Sequence, residues 1–360
     1  MNVPVTWHRL GRVEYADGLE LQNRFQAARR AGLVTDTLLL LEHPPVLTLG
    51  RGADGSNILR SREELDALGV GVFETDRGGD VTYHGPGQLV GYPLLHLGPG
   101  RQDVRRYVRS IEEVIIRALA DFGITATRIE KWPGVWVETS RLGGPRKICA
   151  LGVHLSRWYT RHGFALNVDP DLSHFELIVP CGISEAGVTS MARELPGLAP
   201  TLAEVEARLV HHFGAVFEAD LTCAAPPRDT VSVTVVNEAR DRVLVLRRSA
   251  ARGGFWQPVT GSVEPGERPD RAALRELREE TGLEATLEPI DVPHAFALPS
   301  SPGTAPRLAR EFPFMARVPD AAPVRLSDEH DASEWVSAAE AIARVPWEGL
   351  KRSVRTATRR

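Results

Sequence analysis

Cysteine is scarce in this 360-residue sequence, which has only Cys149, Cys181 and Cys223 and no CxxC pair. An odd and low number excludes a secreted disulfide scaffold, and the missing pair leaves no zinc or dithiol motif. Long hydrophobic runs are missing too, because a run such as Leu38 to Leu41 is far shorter than the roughly 20 residues that span a bilayer. Since the N terminus also lacks a signal-peptide core, these absences predict a cytoplasmic protein without a membrane partner.

A large charge excess of either sign is also absent. The 43 basic and 47 acidic residues give a formal net charge of -4, so the whole-chain charge offers no support for nucleic-acid binding. With 42% hydrophobic and 25% charged residues, the composition is that of a folded globular protein. Because 360 residues exceed what one hydrophobic core commonly serves, the length predicts two domains.

The domain boundary is predicted where a helical pattern gives way to consecutive prolines. Thr201 and Glu204 have the spacing of a capping box, and apolar residues follow at helical spacing. Pro226 and Pro227 cannot continue a helix, and the strand-like run VSVTVV comes after them. The sequence therefore predicts a first domain, a linker and a second domain over residues 1–220, 221–228 and 229–360.

Strands and helices follow no regular order in the first domain. DTLLLLEH and PVLTLG are predicted strands, as are VWVETS and KICALGVHLS, which a Gly-Gly-Pro turn separates. Residues 103–122 carry the clearest amphipathic pattern and predict a helix that Gly123 ends. Strands and helices without strict alternation predict an α+β domain.

Three segments of the first domain have an unusual composition. RGGDVTYHGPGQLVGYP starts at Arg77, and its glycines would let a backbone approach a ligand, although tight turns alone would also explain them. KICALGVHLSRWYTRHGFALNV starts at Lys147, an odd place for a solvated lysine in an apolar strand. FELIVPCGISEAGVTSM holds Cys181 between Pro180 and Gly182. A lone cysteine is more often a small buried side chain, but a nearby cation such as Lys147 would supply the lowered pKa that a thiolate nucleophile needs.

Taken together, these segments closely resemble the octanoyl-[acyl-carrier-protein]:protein octanoyltransferase family over roughly residues 30–217. The resemblance implies the fold of biotin and lipoate protein ligases, a mixed sheet flanked by helices. It also implies that Cys181 is the nucleophile and acyl-thioester carrier, and that Lys147 lowers the pKa of its thiol. The residues that the resemblance assigns to the acyl site are Arg77, Gly78, Gly79, Asp80, Val81, Thr82, Tyr83, His84, Ala150, Leu151, Gly152, Gly163, Phe164 and Ala165.

Cys149 is a rival thiol, since it lies two residues from Lys147. Alternate residues of a regular strand share a face, which would bring the Cys149 thiol beside the Lys147 ammonium. The Pro-Cys-Gly context matches the family nucleophile, so we expect Cys181 to be the reactive cysteine.

The resemblance implies a reaction in two transfers. The Cys181 thiolate takes the octanoyl group from octanoyl-acyl carrier protein. A lysine of an apo lipoyl domain, as in 2-oxoacid dehydrogenases and the glycine cleavage system, then takes it from the cysteine as a stable amide. Backbone N–H groups are expected to stabilise the oxyanion. No metal or nucleotide cofactor is implied for the transferase, because the acyl group arrives already activated.

Arginines recur on one face of the predicted helix. Arg101, Arg105 and Arg109 have helical spacing, with Arg106 beside them. Acyl carrier proteins are acidic, so this face is a hypothetical docking surface. A solvated helix face is the simpler alternative.

The second domain contains GSVEPGERPDRAALRELREETGL, which starts at Gly261 and resembles the Nudix family at every fixed position of its motif. Pro269 fits the first turn of a helix, and Gly282 fits its end. The resemblance implies an α/β/α sandwich over residues 229–352. It also implies a pyrophosphohydrolase, in which a divalent cation bridges a diphosphate and activates water.

Three carboxylates of this helix are candidate metal ligands. Glu276, Glu279 and Glu280 lie at i, i+3 and i+4, and carboxylates so placed repel one another unless a cation lies among them. Hard oxygen ligands predict Mg²⁺ or Mn²⁺. A solvated acidic face would explain the helix alone, but Gly261 and Glu267 complete the Nudix spacing and favour the metal.

The substrate of the second domain is decided outside the motif. FWQPVTGSVE and LSDEHDASEWV resemble dihydroneopterin-triphosphate pyrophosphatases. Glu329 is a candidate further ligand or base, or else a solvated loop carboxylate. Nucleoside triphosphates and coenzyme A derivatives are alternatives, so the expected partner is a small molecule of the nucleoside-diphosphate type.

Two alternative functions stay open from the sequence. The first domain could be a lipoate or biotin ligase that consumes ATP, although an adenylating ligase needs no thiol. The Nudix domain could be a nucleotide sensor without hydrolytic activity, although a sensor need not keep Glu276, Glu279 and Glu280.

Overall fold

A computed structural model of the chain describes residues 2–53, 55–130, 132–139, 141–179, 187–298, 303–320 and 322–359. The chain divides into two units, with the main boundary between Pro226 and Pro227. No helix within these ranges is long and apolar enough to cross a membrane.

The first unit combines a mixed sheet with helices. Its strands are β1 (Val3–Arg12), β2 (Asp36–Glu42), β3 (Val46–Leu49), β4 (Gly71–Glu74), β5 (Val81–His84), β6 (Gln88–Leu94), β7 (Thr127–Ile129), β8 (Trp132–Val137), β9 (Arg146–Ser156), β10 (Tyr159–Asn167), β11 (Gly187–Val188) and β12 (Ala219–Cys223). Its helices are α1 (Tyr15–Arg30), α2 (Arg62–Ala67), α3 (Val104–Ala120), α4 (Met191–Glu194) and α5 (Leu202–Phe217).

The sheet of the first unit mixes both strand directions. β1 lies between β12 and β2 and is parallel to both. β6 is antiparallel to β2 and β10, and β9 is antiparallel to β10 and β8. A second sheet has β3 in the middle, parallel to β4 and antiparallel to β5. The α+β class predicted from the sequence is confirmed.

Helices α3 and α5 cover the main sheet because each has one apolar face. The Asp103 side chain caps α3 by accepting a hydrogen bond from the Arg106 N–H at 3.0 Å. Thr201 and Glu204 form the predicted capping box at the start of α5. The buried residues that join the two helices to the sheet include Tyr107, Ile111, Ile115, Leu119, Val205, Leu209, Phe213, Leu38, Leu40, Ile148 and Leu166.

The connection between the units is shorter than the linker predicted over residues 221–228. β12 extends to Cys223 because its residues pair in parallel register with β1, from Val3↔Ala219 to Trp7↔Cys223. The next strand begins at Arg228. Only residues 224–227, including both prolines, lie outside a strand.

The second unit is a sheet between helices. Its strands are β13 (Arg228–Asn237), β14 (Arg242–Arg248), β15 (Trp256–Gln257), β16 (Val259–Ser262), β17 (Leu287–Pro289), β18 (His294–Ala297), β19 (Leu308–Val318) and β20 (His330–Ser337). Its helices are α6 (Pro269–Thr281), α7 (Ala338–Arg344) and α8 (Glu348–Thr358). β13 lies between β16, which is antiparallel to it, and β19, which is parallel.

Alternate residues of β13 face different helices. Val231, Val233 and Val235 pack on the α6 side, while Val236 packs with α7 and α8 on the other. α6 begins at Pro269 and ends at Gly282, whose φ of 68° is left-handed. The predicted α/β/α sandwich is confirmed.

Candidate active sites

A cavity of about 480 Å³ opens in the first unit. Residues from β5, β9, β10 and the turn before β5 line it, together with Lys147. Twelve of the residues assigned to the acyl site by resemblance meet there, namely Arg77, Gly78, Gly79, Asp80, Thr82, His84, Ala150, Leu151, Gly152, Gly163, Phe164 and Ala165. Residues far apart in sequence therefore share one wall.

Val81 and Tyr83 do not line this cavity, contrary to the sequence-based expectation. Side chains of a strand alternate between its two faces, so these two residues of β5 point away from the face that carries Thr82 and His84. Each is 1% exposed and packs in a separate core with Leu47. Val81 and Tyr83 therefore pack behind the face of β5 that lines the cavity.

Further lining residues carried little sequence signal. Tyr15, Tyr92 and Val108 face the cavity from α1, β6 and α3, and nothing in their local sequence sets them apart. His162 also lines it. Its position directly before Gly163 in the second unusual segment was the available sequence clue. In the structure its φ of 56° lies in a region that few non-glycine residues adopt.

Arg77 is held by a fixed set of acceptors. Its Nε donates to Thr48 Oγ1 at 3.2 Å, its Nη2 to Thr48 O at 2.5 Å, and its Nη1 to Gly78 O at 3.1 Å. A Cβ on Gly152 would lie 2.9 Å from Gly78 O and 3.0 Å from Arg77 Cδ. Glycine at position 152 therefore lets β9 approach the Arg77 turn.

Three histidines around the cavity are neutral near pH 7. Burial lowers the pKa of His43 and His162 to about 4 each, and that of His84 well below the ordinary range. His43 Nδ1 donates to Val13 O at 2.7 Å, so its Nε2 accepts from the Tyr92 hydroxyl at 2.6 Å. These imidazoles add polarity to the cavity wall without charge.

Lys147 faces the cavity because β9 carries a bulge. The pairing with β8 shifts between Val135↔Cys149 and Trp136↔Lys147, so that two residues of β9 oppose one of β8. The bulge reverses the alternation, and Lys147 shares the cavity face with Ala150 rather than with Cys149. The expectation that Lys147 and Cys149 share a face is wrong.

Cys149 lies in the main core instead. It is 0% exposed, and burial raises the pKa of its thiol. A thiol so placed is a poor nucleophile, since the thiolate is the reactive form.

Cys181 lies in residues 180–186, outside the described part of the chain. The residues that follow are described, and β11 pairs in parallel with β9, with Gly187 opposite Arg146 and Val188 opposite Lys147. The Thr189 N–H also donates to Lys147 O at 3.0 Å. The chain that leaves the cysteine segment therefore runs beside Lys147.

Helix α3 joins the cavity to an arginine-rich surface. Val108 lines the cavity, while Arg105, Arg106 and Arg109 are exposed on the same helix. Arg128 lies near them and pairs with carboxylates of α3. The three exposed arginines, called the α3 arginine surface below, place positive charge close to the cavity.

The predicted metal ligands of the second unit have different environments. Glu280 is buried and accepts a hydrogen bond from the Thr260 N–H at 3.3 Å. Burial and the neighbouring Glu276 raise the pKa of Glu280 to about 8. Burial also raises the pKa of Glu276. Glu279 is exposed on the helix surface.

Two of these carboxylates, Glu276 and Glu279, pair with an arginine rather than forming the expected cluster with Glu280. Among the described residues, no three His, Cys, Asp or Glu side chains are grouped as a metal site. Arg275 instead lies 3.0 Å from Glu267, 2.7 Å from Glu276 and 3.3 Å from Glu279. The spacing of the carboxylates does not reveal this guanidinium, which offsets part of their negative charge.

The residues nevertheless fit a divalent cation. The donors are hard carboxylate oxygens, and burial together with the neighbouring Glu276 carboxylate raises the pKa of Glu280, so a bound cation would stabilise its ionised form. A Cβ on Gly261 would collide with the Glu276 side chain, so glycine provides the room for that carboxylate. Glu276 and Glu280 are the residues that would hold the ion.

Glu329 forms two ion pairs. It lies 3.0 Å from Arg248 and 3.0 Å from Arg252. It is therefore a partner of two arginines, and not a carboxylate with solvent alone around it.

Comparisons with known proteins agree with both halves of the chain. Residues 14–214 match the family of the lipoyl protein ligase A/B catalytic domain, and residues 226–356 match the NUDIX domain. A protein of Myxococcus xanthus named octanoyltransferase is 55% identical over 356 residues, which cover 98% of this chain and 99% of that protein. The chain belongs to the octanoyltransferase family. It joins an acyltransferase domain of that family to a Nudix domain.

A second octanoyltransferase relative is shorter than this chain. The octanoyltransferase of Solibacter usitatus is 52% identical over 213 residues, which cover 59% of this chain and 93% of that protein. Among solved structures, lipoate-protein ligase A bound with ATP is 14% identical, with a TM-score of 0.49, and the match covers 62% of this chain and 90% of that one. The dihydroneopterin triphosphate pyrophosphohydrolase of E. coli is 27% identical, with a TM-score of 0.32, and the match covers 36% of this chain and 94% of that one.

Proposed function

We propose that the first unit transfers an octanoyl group from acyl carrier protein to a lysine of an apo lipoyl domain, through a thioester on Cys181. The carrying observation is that Lys147 faces the cavity while the chain that follows the cysteine segment pairs beside it. Family membership supports the choice of acyl group. The acceptors we propose are the lipoyl domains of 2-oxoacid dehydrogenases and of the glycine cleavage system, in the cytoplasm.

The first transfer exchanges one thioester for another. The Cys181 thiolate attacks the carbonyl carbon of the donor, a new C–S bond forms, and the C–S bond to the carrier breaks. The carrier thiolate leaves and takes up a proton, for which the Lys147 ammonium is the proposed source. The octanoyl chain lies in the cavity, whose walls include Leu151 and Phe164.

The second transfer makes the amide. The neutral amine of the acceptor lysine attacks the acyl-cysteine, the C–N bond forms, and the C–S bond to Cys181 breaks. The attacking amine loses one proton to the Lys147 amine, which restores the ammonium, and the cysteine leaves as the thiolate with which the cycle began. Because an amide is more stable than a thioester, this step drives the reaction forward.

The choice of lysine at position 147 supports a proton-transfer role. The chain has only three lysines, at positions 131, 147 and 351, among 43 basic residues. An arginine would keep the charge but cannot release a proton in a protein. Lysine is therefore kept here where arginine is used almost everywhere else.

Intact-protein mass tests the nucleophile. Wild type and Cys149→Ser are mixed with octanoyl-acyl carrier protein without ATP, and both are expected to gain one octanoyl group, because Cys149 is buried in the core. Cys181→Ser is expected to form no thioester adduct. If wild type gains nothing and transfer depends on ATP, the domain is a ligase and the proposal fails.

We propose that the second unit is a Mg²⁺-dependent pyrophosphohydrolase of a nucleotide-type substrate. The cation would supply a bridge to the diphosphate and an activated water. Glu276 and Glu280 hold carboxylate oxygens beside β16, and Arg275 orients Glu276 through a 2.7 Å contact. The oxygen of water bonds to phosphorus, and the phosphorus–oxygen bond of the diphosphate breaks. The proton released from the water goes to the leaving phosphate oxygen or to solvent.

The hydrolase test uses the full chain. Release of pyrophosphate from nucleoside triphosphates is measured with Mg²⁺, with Mn²⁺ and with a chelator, for wild type and Glu276→Gln. Hydrolysis by wild type with either ion, and its loss with the chelator and in Glu276→Gln, support the proposal. Binding of nucleotides without any hydrolysis by wild type would identify a sensor instead.

A further inference from the structure

A buried row of side-chain hydrogen bonds connects the cavity of the first unit to the chain that follows the cysteine segment. His84 lines the cavity, and its Nδ1 donates to Gln88 Oε1 at 3.2 Å, because an amide oxygen can only accept. Gln88 Nε2 donates to Asn167 Oδ1 at 2.9 Å, and Asn167 Nδ2 donates to Thr189 O at 2.9 Å. Gln88, Asn167 and Thr189, called the amide network below, are all buried.

Thr189 is fixed by three hydrogen bonds. Its N–H donates to Lys147 O at 3.0 Å, and its carbonyl accepts from Asn167. Its hydroxyl donates to Glu194 Oε1 at 2.5 Å. Because Thr189 is 0% exposed, solvent has no access that would let water replace a lost partner. Thr189 is therefore a fixed point of the chain, eight residues after Cys181.

The strand pairing beside Lys147 is too short to fix this part of the chain by itself. β11 consists of Gly187 and Val188 alone, and its pairing with β9 is parallel. Parallel pairing is slightly less stable per residue than antiparallel pairing, and a strand of two residues forms few ladder bonds. The side-chain bonds to Thr189 therefore supply the constraint that the ladder lacks.

Asparagine is the side chain that position 167 requires. Asn167 is the last residue of β10 and lies opposite Gln88 of β6. Its oxygen accepts from Gln88, while its nitrogen donates to Thr189. An ionised aspartate has the same shape but offers only acceptors, so it would bring an oxygen against the Thr189 carbonyl. Alanine would leave both partners without a bond in a buried place.

We propose that Asn167 is a positioning residue, which through Thr189 holds the chain that follows Cys181 against Lys147 for acyl transfer. Lys147 faces the cavity, and the amide network reaches the same cavity at His84. The network therefore sets the place of the nucleophile relative both to its cation and to the acyl chain. The inference rests on the transferase function proposed above and adds to it a residue that acts through others.

Single-turnover acylation by octanoyl-acyl carrier protein tests this role in the full chain. Asn167→Ala removes both bonds, and Asn167→Asp removes the donor to Thr189. The maximum acylation rate of each variant is expected to fall roughly 100-fold, the cost of a misplacement of about 1 Å. The donor concentration that gives half the maximum rate should stay close to that of wild type, because Asn167 lies outside the cavity wall.

Thr160→Val is the matched control for a general loss of stability. Thr160 lies on the same strand and is 0% exposed. Its hydroxyl donates to Pro93 O at 2.6 Å and accepts from the Leu95 N–H at 2.8 Å. The thermal midpoint of Thr160→Val should fall with those of the Asn167 variants, while its acylation rate stays at the wild-type value.

A pair of variants at Thr189 tests the other end of the amide network. Thr189→Ser keeps the hydroxyl that donates to Glu194, and Thr189→Val loses it. Only Thr189→Val is expected to lose acylation rate, again without a change in the donor concentration for half the maximum rate. Rescue by serine shows that the hydrogen bond, rather than the volume of the side chain, is what matters.

Alkylation of Cys181 by iodoacetamide separates this inference from the proposed reaction, because the reagent needs no acyl donor. Peptide mapping reports the modification of each cysteine. At pH 7 the rate at Cys181 is expected to fall roughly tenfold in Asn167→Ala and in Lys147→Ala, because a thiol with the ordinary pKa of about 8.5 is only a few per cent ionised there. Asn167→Ala adds no charge, so repulsion of the thiolate cannot cause this fall.

The outcomes distinguish the two proposals. If wild type takes up no octanoyl group but alkylation of Cys181 slows in Asn167→Ala, the transferase proposal fails and the placement of Cys181 by Asn167 stands. Alkylation and acylation at wild-type rates in both Asn167 variants overturn the inference. An equal loss of rate in Thr160→Val also overturns it, because Asn167 would then contribute only to stability.

Discussion

The ammonium of Lys147 lies over the indole ring of Trp136, with Nζ 4.9 Å from the ring centroid. Trp136 is almost fully buried, and its Nε1 donates to Trp132 O at 2.9 Å, so the ring is fixed. A cation over an aromatic face is attracted by the negative charge of the ring face. This contact helps to hold the Lys147 amine at the cavity wall.

Lys147→Arg is expected to retain charge and lose proton transfer. We expect octanoyl transfer to the lipoyl domain to fall by about 10²- to 10⁴-fold, the range for loss of a positioned acid or base. Lys147→Ala loses the charge as well, so the pH at which Cys181 is acylated should rise only in that variant. The measurement is adduct formation by mass against pH.

Lys351→Arg is the matched control for that pair, since Lys351 lies on α8 in the second unit and pairs with Glu348. Its transfer rate should equal that of wild type. Full transfer activity in Lys147→Arg would show that position 147 needs only a charge.

Gly152→Ala is expected to disturb the Arg77 turn. The added Cβ would press on Gly78 O and the Arg77 side chain, and such overpacking costs about 1–3 kcal/mol. The thermal midpoint should fall, together with kcat/KM for the octanoyl donor. Gly98→Ala serves as the control, because a Cβ there would meet nothing within 4 Å. Equal behaviour of the two variants would contradict the close-approach argument.

Reversal of Arg105 and Arg109 to glutamate tests whether the α3 arginine surface binds acyl carrier protein. We expect the KM for octanoyl-acyl carrier protein to rise by on the order of tenfold, with weaker dependence on salt, because opposite charges steer association. The KM for octanoyl-pantetheine, which lacks the protein, should not change. Arg60→Glu, an exposed position before α2, is the control. An unchanged KM for the carrier protein would indicate that these arginines form only a solvated helix face.

His43 makes the first unit sensitive to acid. Burial lowers the pKa of His43 to about 4 in the folded protein, from the ordinary histidine value of 6.5. The unfolded chain therefore binds more protons between these values, so this contribution is complete above pH 6.5 and is lost as the pH falls toward 4. The full loss is about 3 kcal/mol.

The measurement is hydrogen exchange of the β2 amides, followed by mass spectrometry between pH 7 and 4.5. After correction for intrinsic exchange, His43→Gln should show a smaller loss of protection with falling pH than wild type. His211→Gln, at an exposed position, should follow wild type. The same slope in wild type and His43→Gln would refute the assignment.

The fold was largely predictable because its signals are local. The capping box at Thr201 and Glu204, and the Pro269 and Gly282 ends of the Nudix helix, depend on residues a few positions apart. The acyl site was predictable only through motif resemblance, since no local pattern reveals that Arg77 and Gly152 touch.

The predictions that were wrong concern the faces of strands on which side chains lie. A one-residue bulge in β9 puts the side chains of Lys147 and Cys149 on different faces, and the alternation of β5 turns Tyr83 away from the cavity.

Arg275 has a consequence for how the Nudix motif acquires its ion. The guanidinium already pairs with Glu267, Glu276 and Glu279, so an internal positive charge holds the helix and the preceding loop together. A divalent ion would therefore bind beside carboxylates that Arg275 already holds in position. Loss of that ion together with the product would leave these ion pairs, and with them the shape of the motif, in place.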